Sequence, residues 1–235
     1  MTHFSAMSTE RQCSPPRRRS GISPALRLIL PVIALVLLAA CGKVKEQAIP
    51  PGSPVLALGD SLTEGAGVAA EQAWPSLLAG KTGWVVTNGG VSGDTSAAAL
   101  QRLPALLDQH RPLLVLVTLG GNDMLRRLPQ QETMANLEKI VALIRAHGAK
   151  PVLLATPNPS LMGAVFQHLT AADFYQQLAE AQQVPLLKDA MASVLSDPQL
   201  KVDQLHPNAA GHVLLAEKIY KELQSLGYIG QDRSS

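Results

Sequence analysis

The sequence predicts an α/β fold in which a parallel sheet is covered by helices on both faces. Three observations predict it. From Val55 onward, short apolar runs bounded by turn residues alternate with stretches of helical spacing. The runs are continuously apolar rather than alternating, which is the pattern of strands buried on both faces. The roughly 180 residues of this region, in a chain that is 46% apolar, are enough for one domain of this kind.

The elements follow in order. The first run, Val55–Leu58, opens into Gly59-Asp60-Ser61-Leu62-Thr63-Glu64-Gly65. The second, Trp84–Thr87, leads to Asn88-Gly89-Gly90-Val91-Ser92-Gly93-Asp94-Thr95. A helical pattern over Thr95–Gln109 contains Pro104, which lacks an N–H and crowds the preceding turn, so a kink or two shorter helices are expected. The third run, Leu113–Leu119, leads to Gly120-Gly121-Asn122-Asp123. Leu137, Ile140, Val141 and Ile144 then mark one helix face, with Gly148 as its stop signal. The fourth run, Pro151–Ala155, leads to Thr156-Pro157-Asn158-Pro159 and an apolar loop reaching Leu169. Within that loop Leu161, Met162, Val165 and Phe166 have helix spacing, which favours core packing over an acyl pocket. Val184–Leu187 is the fifth run. Asp203-Gln204-Leu205-His206-Pro207-Asn208 precedes a last helix striped by Val213, Ala216, Ile219, Tyr220 and Leu223, with His212 read as a surface residue. His110 and His147 close predicted helices, where positive charge suits the dipole.

Composition removes several function classes. Aromatic residues make up 3% of the chain, too few for a surface that stacks nucleobases. The net charge of +2 comes from the first 40 residues, which hold Arg11, Arg17, Arg18, Arg19 and Arg27 against Glu10. The remainder is slightly acidic and suggests no phosphate-backbone partner. Cys13 and Cys41 are the two cysteines, so the chain beyond Cys41 has no thiol for a disulfide, a catalytic Cys or thiolate-bound zinc.

The first 40 residues read as a targeting segment. Arginines precede a 13-residue apolar run, Leu28–Ala40, that is too short for the roughly 20 residues of a membrane span. It ends in Leu38-Ala39-Ala40-Cys41-Gly42, which resembles the bacterial lipoprotein signal. That resemblance implies cleavage before Cys41, a lipid on Cys41 and a periplasm-facing protein. Gly42 is similar to the residue found in lipoproteins sorted to the outer membrane. The expected organisation is a signal over 1–40, a lipid-anchored Pro/Gly-rich tether over 41–54, and one domain over 55–230.

In open parallel sheets function gathers at the carboxyl ends of the strands. A serine needs a base to take its proton, and the base needs an orienting partner. Ser61 follows the first strand, while Asp203 and His206 stand three apart in one loop. Gly93 and Asn122, on the next two strand exits, can donate to a developing oxyanion. Rival motifs fail. Gly90-Val91-Ser92-Gly93-Asp94 has Asp where a nucleophile elbow needs its last Gly, and Gly80-Lys81-Thr82 has Pro75 where a P-loop needs its first.

Gly59-Asp60-Ser61-Leu62, Gly93 in a Ser-Gly-Asp-Thr-Ser run, Gly-Gly-Asn122-Asp and Asp203-x-x-His206-Pro resemble the four blocks of the SGNH (GDSL) hydrolase family. Trp74-Pro75-x-Leu77-Leu78, Arg102 to Leu107 and Leu119 to Asp123 are similar to its bacterial subgroup of thioesterases, lysophospholipases and arylesterases. The resemblance implies a five-stranded flavodoxin-like sheet in order 2-1-3-4-5, a three-layer α/β/α architecture, and no cofactor or metal. It implies Ser61 as nucleophile, His206 as base and Asp203 as its orienter. Ser61, Gly93 and Asn122 would form the oxyanion hole, with Asp60 and Asp94 organising the loops behind it. Met124-Leu125-Arg126-Arg127 departs from the subgroup, which often has Gly first. The expected activity is hydrolysis of acyl esters through an acyl-enzyme, on small-molecule or lipid substrates. A carbohydrate O-deacetylase and a non-catalytic envelope-binding lipoprotein are the alternatives.

Overall fold

In the computed structural model, residues 46–159 and 168–230 are described. The leader, Cys41 and the four apolar residues at 161, 162, 165 and 166 lie outside them. Five parallel strands form one sheet in the order β2-β1-β3-β4-β5. They are β1 (Pro54–Gly59), β2 (Val85–Gly90), β3 (Leu114–Thr118), β4 (Lys150–Leu154) and β5 (Leu186–Leu187). The five strands, their parallel sense and their order agree with the expected architecture.

Strand geometry explains the layers. Successive side chains point to opposite faces, so each central strand feeds two cores. Leu56, Leu58, Val115, Val117 and Leu153 enter the first core. It is closed by α3 (Ser96–His110), α5 (Gln130–Ala146) and α6 (Phe174–Gln182). Val55, Ala57, Leu114, Leu116, Val152 and Leu154 enter the second. It is closed by α2 (Trp74–Thr82), α7 (Ala190–Leu195) and α8 (Ala209–Leu226). The chain passes from β1 out to β2 and then back across β1 to β3. Right-handed crossovers in these opposite directions put α2 and α3 on opposite faces, with the reversal between β1 and β3.

Three local expectations are revised. Pro104 does not split its helix, because α3 runs unbroken from Ser96 to His110. Pro104 is exposed, on the outer side of the helix where a lost hydrogen bond costs least, while Leu103 and Leu107 still bury. β2 is a half-exposed edge strand rather than a buried one, ending in Asn88-Gly89-Gly90. On α8 Ala216, Ile219 and Leu223 of the expected stripe are buried, but the first turn differs. His212 is fully buried and Val213 is 50% exposed, the reverse of the expected stripe. The His212 Nδ1 accepts the Trp74 N–H at 3.3 Å, while its Nε2 is buried with no hydrogen-bond partner among the described residues. The Trp74 N–H opens α2, whose N-cap Ala73 offers no side-chain acceptor. Burial holds the His212 pKa down to about 4, so the ring is neutral.

The stretch read as a tether is docked from Glu46 onward. Glu46 N donates to Leu226 O at 2.9 Å, its carboxylate meets Lys150 Nζ at 2.6 Å, and Trp84 Nε1 donates to Ile49 O at 3.1 Å.

At the other end of the sheet, one helical turn, α1 (Ser61–Glu64), sits directly on β1 and β2. Only glycine permits this approach. A Cβ at Gly59 would fall 2.1 Å from Thr63 Oγ1, and one at Gly90 would fall 2.1 Å from the Glu64 backbone nitrogen. The two glycines are paired across the strands. Gly90→Ala is therefore expected to cost more than about 2 kcal/mol in urea unfolding and to displace α1. Gly80→Ala, on α2 with open space around it, is expected to be neutral or stabilising by up to about 1 kcal/mol. Equal effects of the two would contradict the close-packing argument.

Candidate active site

The loops leaving β1, β2 and β3 meet the Asp203–His206 loop around one cavity of about 830 Å³. Ser61, Gly93, Asn122 and His206 all line it. Ser61 is the first residue of α1 and sits beside the reversal point of the sheet. Asp60, rather than Ser61, is the N-cap: its Oδ1 accepts the Leu62 N–H at 3.0 Å. This leaves the Ser61 hydroxyl free for His206, whose Nε2 lies 3.0 Å from Ser61 Oγ.

The histidine is oriented from behind. Its Nδ1 is 2.8 Å and 3.1 Å from the two carboxylate oxygens of Asp203. Asp203 Oδ1 also accepts the backbone N–H groups of Leu205 at 2.7 Å and His206 at 2.8 Å. Slight burial pushes the Asp203 pKa up. The hydrogen bonds from the His206 ring and the two backbone N–H groups outweigh this and hold it below the ordinary value. An ionised Asp203 requires the proton on His206 Nδ1, which turns the Nε2 lone pair toward Ser61. The loop is pinned by a short antiparallel bridge between Lys201 and Pro207 and by Val202 N donating to His206 O at 3.0 Å.

Opposite the histidine stand the donors. Asn122 is the second residue of α4 (Gly121–Leu125), and its Nδ2 donates to Asp60 Oδ2 at 3.1 Å. One amide hydrogen is thus committed, which fixes the plane of the group and leaves the second hydrogen for the cavity. Gly93 is the third residue of a turn closed by Asp94 N donating to Val91 O at 3.1 Å, and its φ of +82° is the left-handed value such a turn requires. Three side chains hold this turn. Ser92 Oγ bonds the Glu64 carboxylate, and Arg126 Nη2 donates to Gly93 O at 2.7 Å. Asp94 pairs with Arg102 Nε at 2.7 Å, while Arg102 Nη2 donates to Gly59 O at 3.0 Å.

All the residues singled out in the described region come together here. Asp60 ties the Ser61 turn to Asn122, and Asp94 ties its own loop to Arg102 on α3. Other parts of the scaffold carry no signature in the sequence. Asp123 is buried and accepts Ser96 N at 2.8 Å, Ser96 Oγ at 2.6 Å and Thr133 Oγ1 at 3.3 Å. It thereby caps α3 from another loop. Arg126, although exposed, reaches the Gly93 turn. Tyr175 Oη bonds Thr156 Oγ1 at 2.9 Å and Leu119 O, joining the exits of β3 and β4. Trp74 Nε1 donates to Leu62 O at 3.1 Å, so the His212-capped α2 helix supports the turn that carries Ser61.

Burial pushes the Asp60 pKa from 3.8 up to about 6, against the opposing pull of its hydrogen bonds and of His206. The folded state therefore holds this proton more tightly than the unfolded chain. The resulting stability is complete below about pH 4 and is lost as the pH rises through 6. Asp60→Asn removes this titration. Its stability relative to the wild type is expected to rise by up to about 3 kcal/mol between pH 4 and 7, read by denaturant unfolding at each pH. A difference that stays flat across this range would contradict the burial argument.

Comparisons with known proteins agree with this geometry. A family model described as GDSL-like lipase/acylhydrolase matches residues 57–214. The chain is 41% identical over 177 residues to the thioesterase 1/protease 1/lysophospholipase L1 of Escherichia coli strain K12, covering 73% of this chain and 84% of that one. It is 37% identical over 201 residues to an arylesterase of Vibrio mimicus, covering 83% and 96%. Among solved structures it resembles a psychrotrophic esterase, EstA, from Pseudoalteromonas sp., inhibited by monoethylphosphonate. The TM-score is 0.63 at 30% identity, covering 73% of this chain and 96% of that one.

Proposed function

Since the chain belongs to the GDSL-like lipase/acylhydrolase family and is a serine ester hydrolase, we propose that Ser61, His206 and Asp203 carry its reaction. The observation that carries this assignment is the 3.0 Å contact between His206 Nε2 and Ser61 Oγ, with Asp203 on the other ring nitrogen. Ser61 Oγ attacks the ester carbonyl as His206 Nε2 takes its proton. The carbonyl oxygen becomes an oxyanion and accepts from the Ser61 and Gly93 N–H groups and the free hydrogen of the Asn122 amide. The intermediate collapses as His206 returns the proton to the leaving alcohol or thiol. A water, deprotonated by the same nitrogen, then releases the acid and regenerates Ser61.

The cavity suits an acyl chain. Leu62, Ala66, Leu125, Leu169, Leu195 and Leu205 supply apolar wall beside Ser61. The proposed substrates are acyl esters with lipid-like or aryl leaving groups. A chain beginning at Gly42 is expected to cleave p-nitrophenyl esters between C2 and C12, with Ser61→Ala lowering kcat/KM by roughly 10⁴–10⁶. Activity confined to C2 would favour an O-deacetylase. Retention of activity in Ser61→Ala would remove the serine from the reaction.

We further propose that Cys41 carries a lipid and holds the enzyme in the cell envelope, facing the periplasm at the outer membrane. The support is the Leu38-Ala39-Ala40-Cys41-Gly42 sequence and the apolar run before it. Cys41→Ser is expected to leave ester hydrolysis unchanged and to move the protein from the membrane fraction to the soluble one. Retention with the membrane would count against lipidation.

A further inference from the structure

Among the described residues, five large aliphatic side chains that are 40–49% exposed stand around the cavity mouth. Val91 lies on the loop after β2, Leu125 at the end of α4 and Leu128 just beyond it, and Val202 and Leu205 on the loop bearing Asp203 and His206. Leu125 and Leu205 line the cavity itself. Val91 adjoins the cavity residue Ser92. Val202 lies against Gly67, beside the cavity residue Ala66. Three separate segments thus turn apolar side chains outward around one opening, which is how an interaction surface differs from scattered surface leucines.

The charges among them are mostly basic. Arg126 holds Gly93 O while its side chain stays exposed. Arg127 and Lys201 have no carboxylate partner among the described residues. Against these three cations the same loops expose two carboxylates, Glu64 bonded to Ser92 Oγ and Asp203 bonded to His206, so the basic side chains exceed the acidic ones by one. Whatever covers this ring also covers the mouth leading to Ser61. A protein partner seated here would block the site, whereas a lipid surface would deliver substrate through the opening.

We propose that this ring is an interfacial docking surface for anionic lipid, seating the mouth on the lipid–water boundary from which acyl esters enter. The proposal rests on the ester-hydrolase reading and specifies where its substrate resides. No described helix is long and apolar enough to cross a membrane, so the contact is one of loops at the surface. Both cores lie within residues 49–229, so a chain beginning at Gly42 carries the whole fold without Cys41 and its preceding apolar run.

The test uses that chain with Ser61→Ala, so that vesicles are not consumed, in flotation with phosphatidylglycerol–phosphatidylcholine vesicles. Binding is expected, stronger than to pure phosphatidylcholine and weakened by salt. Adding Arg127→Gln and Leu128→Asp is expected to weaken binding at least about tenfold. With Ser61 restored, the same double variant keeps its kcat/KM on a monomeric short-chain ester within about twofold, since neither residue lines the cavity. Val85→Asp, on the exposed amino end of β2, serves as the control and leaves binding unchanged. Absent binding, equal binding by the ring variant, equal affinity for both vesicle types, or loss of binding on Val85→Asp overturns the proposal. Hydrolysis of soluble ester by the wild type alongside any of these results would leave the ester-hydrolase reading intact.

Discussion

The site depends on one buried carboxylate. Asp60 directly follows the interior strand β1, where the strand order reverses, and its two oxygens serve different segments. One caps the helical turn that begins with Ser61, and the other holds the side-chain amide of Asn122. Nucleophile and oxyanion donor are therefore positioned from a common point rather than by independent loops. Burial of this group is costly, which is why its pKa rises to about 6. The cost is met by converging donors and by the close seating of α1 on glycines 59 and 90.

Around that point the fold repeats one device, a polar side chain from one segment fixing the backbone of another. Asp123 caps α3, Arg102 and Arg126 hold the Gly93 turn, and Tyr175 joins the exits of β3 and β4. Such preorganisation suits a reaction whose charge appears only transiently, because the donors need not rearrange when it forms. The two aliphatic cores supply the rigidity these bonds require. The chain beyond Cys41 contains no cysteine, so no disulfide contributes there.

Much of this was legible in the sequence, for physical reasons. Parallel strands covered on both faces must be continuously apolar, and site residues in such sheets fall on the loops just after them. Ser61, Gly93, Asn122 and His206 each occupy the strand exit or loop where they were read. Less legible were polar residues whose meaning depends on a distant partner. His212 looks like a surface residue until Trp74, 138 positions earlier, brings its N–H to the imidazole. Arg126 looks solvated until Gly93 is placed beside it. Pro104 reads as a breaker unless it is known to face solvent, where the lost hydrogen bond is cheap. Periodicity records burial, and it cannot record which polar groups satisfy one another once buried.

The central claim is that His206 and its partners activate Ser61 for covalent chemistry. A serine-directed fluorophosphonate, followed by intact mass and peptide mapping, tests it most directly. The account predicts one adduct per chain, on Ser61, with labelling slowed sharply in His206→Ala and ester hydrolysis lost in step with labelling. An unlabelled Ser61 in a protein that still hydrolyses esters, or an adduct on another serine, would contradict it.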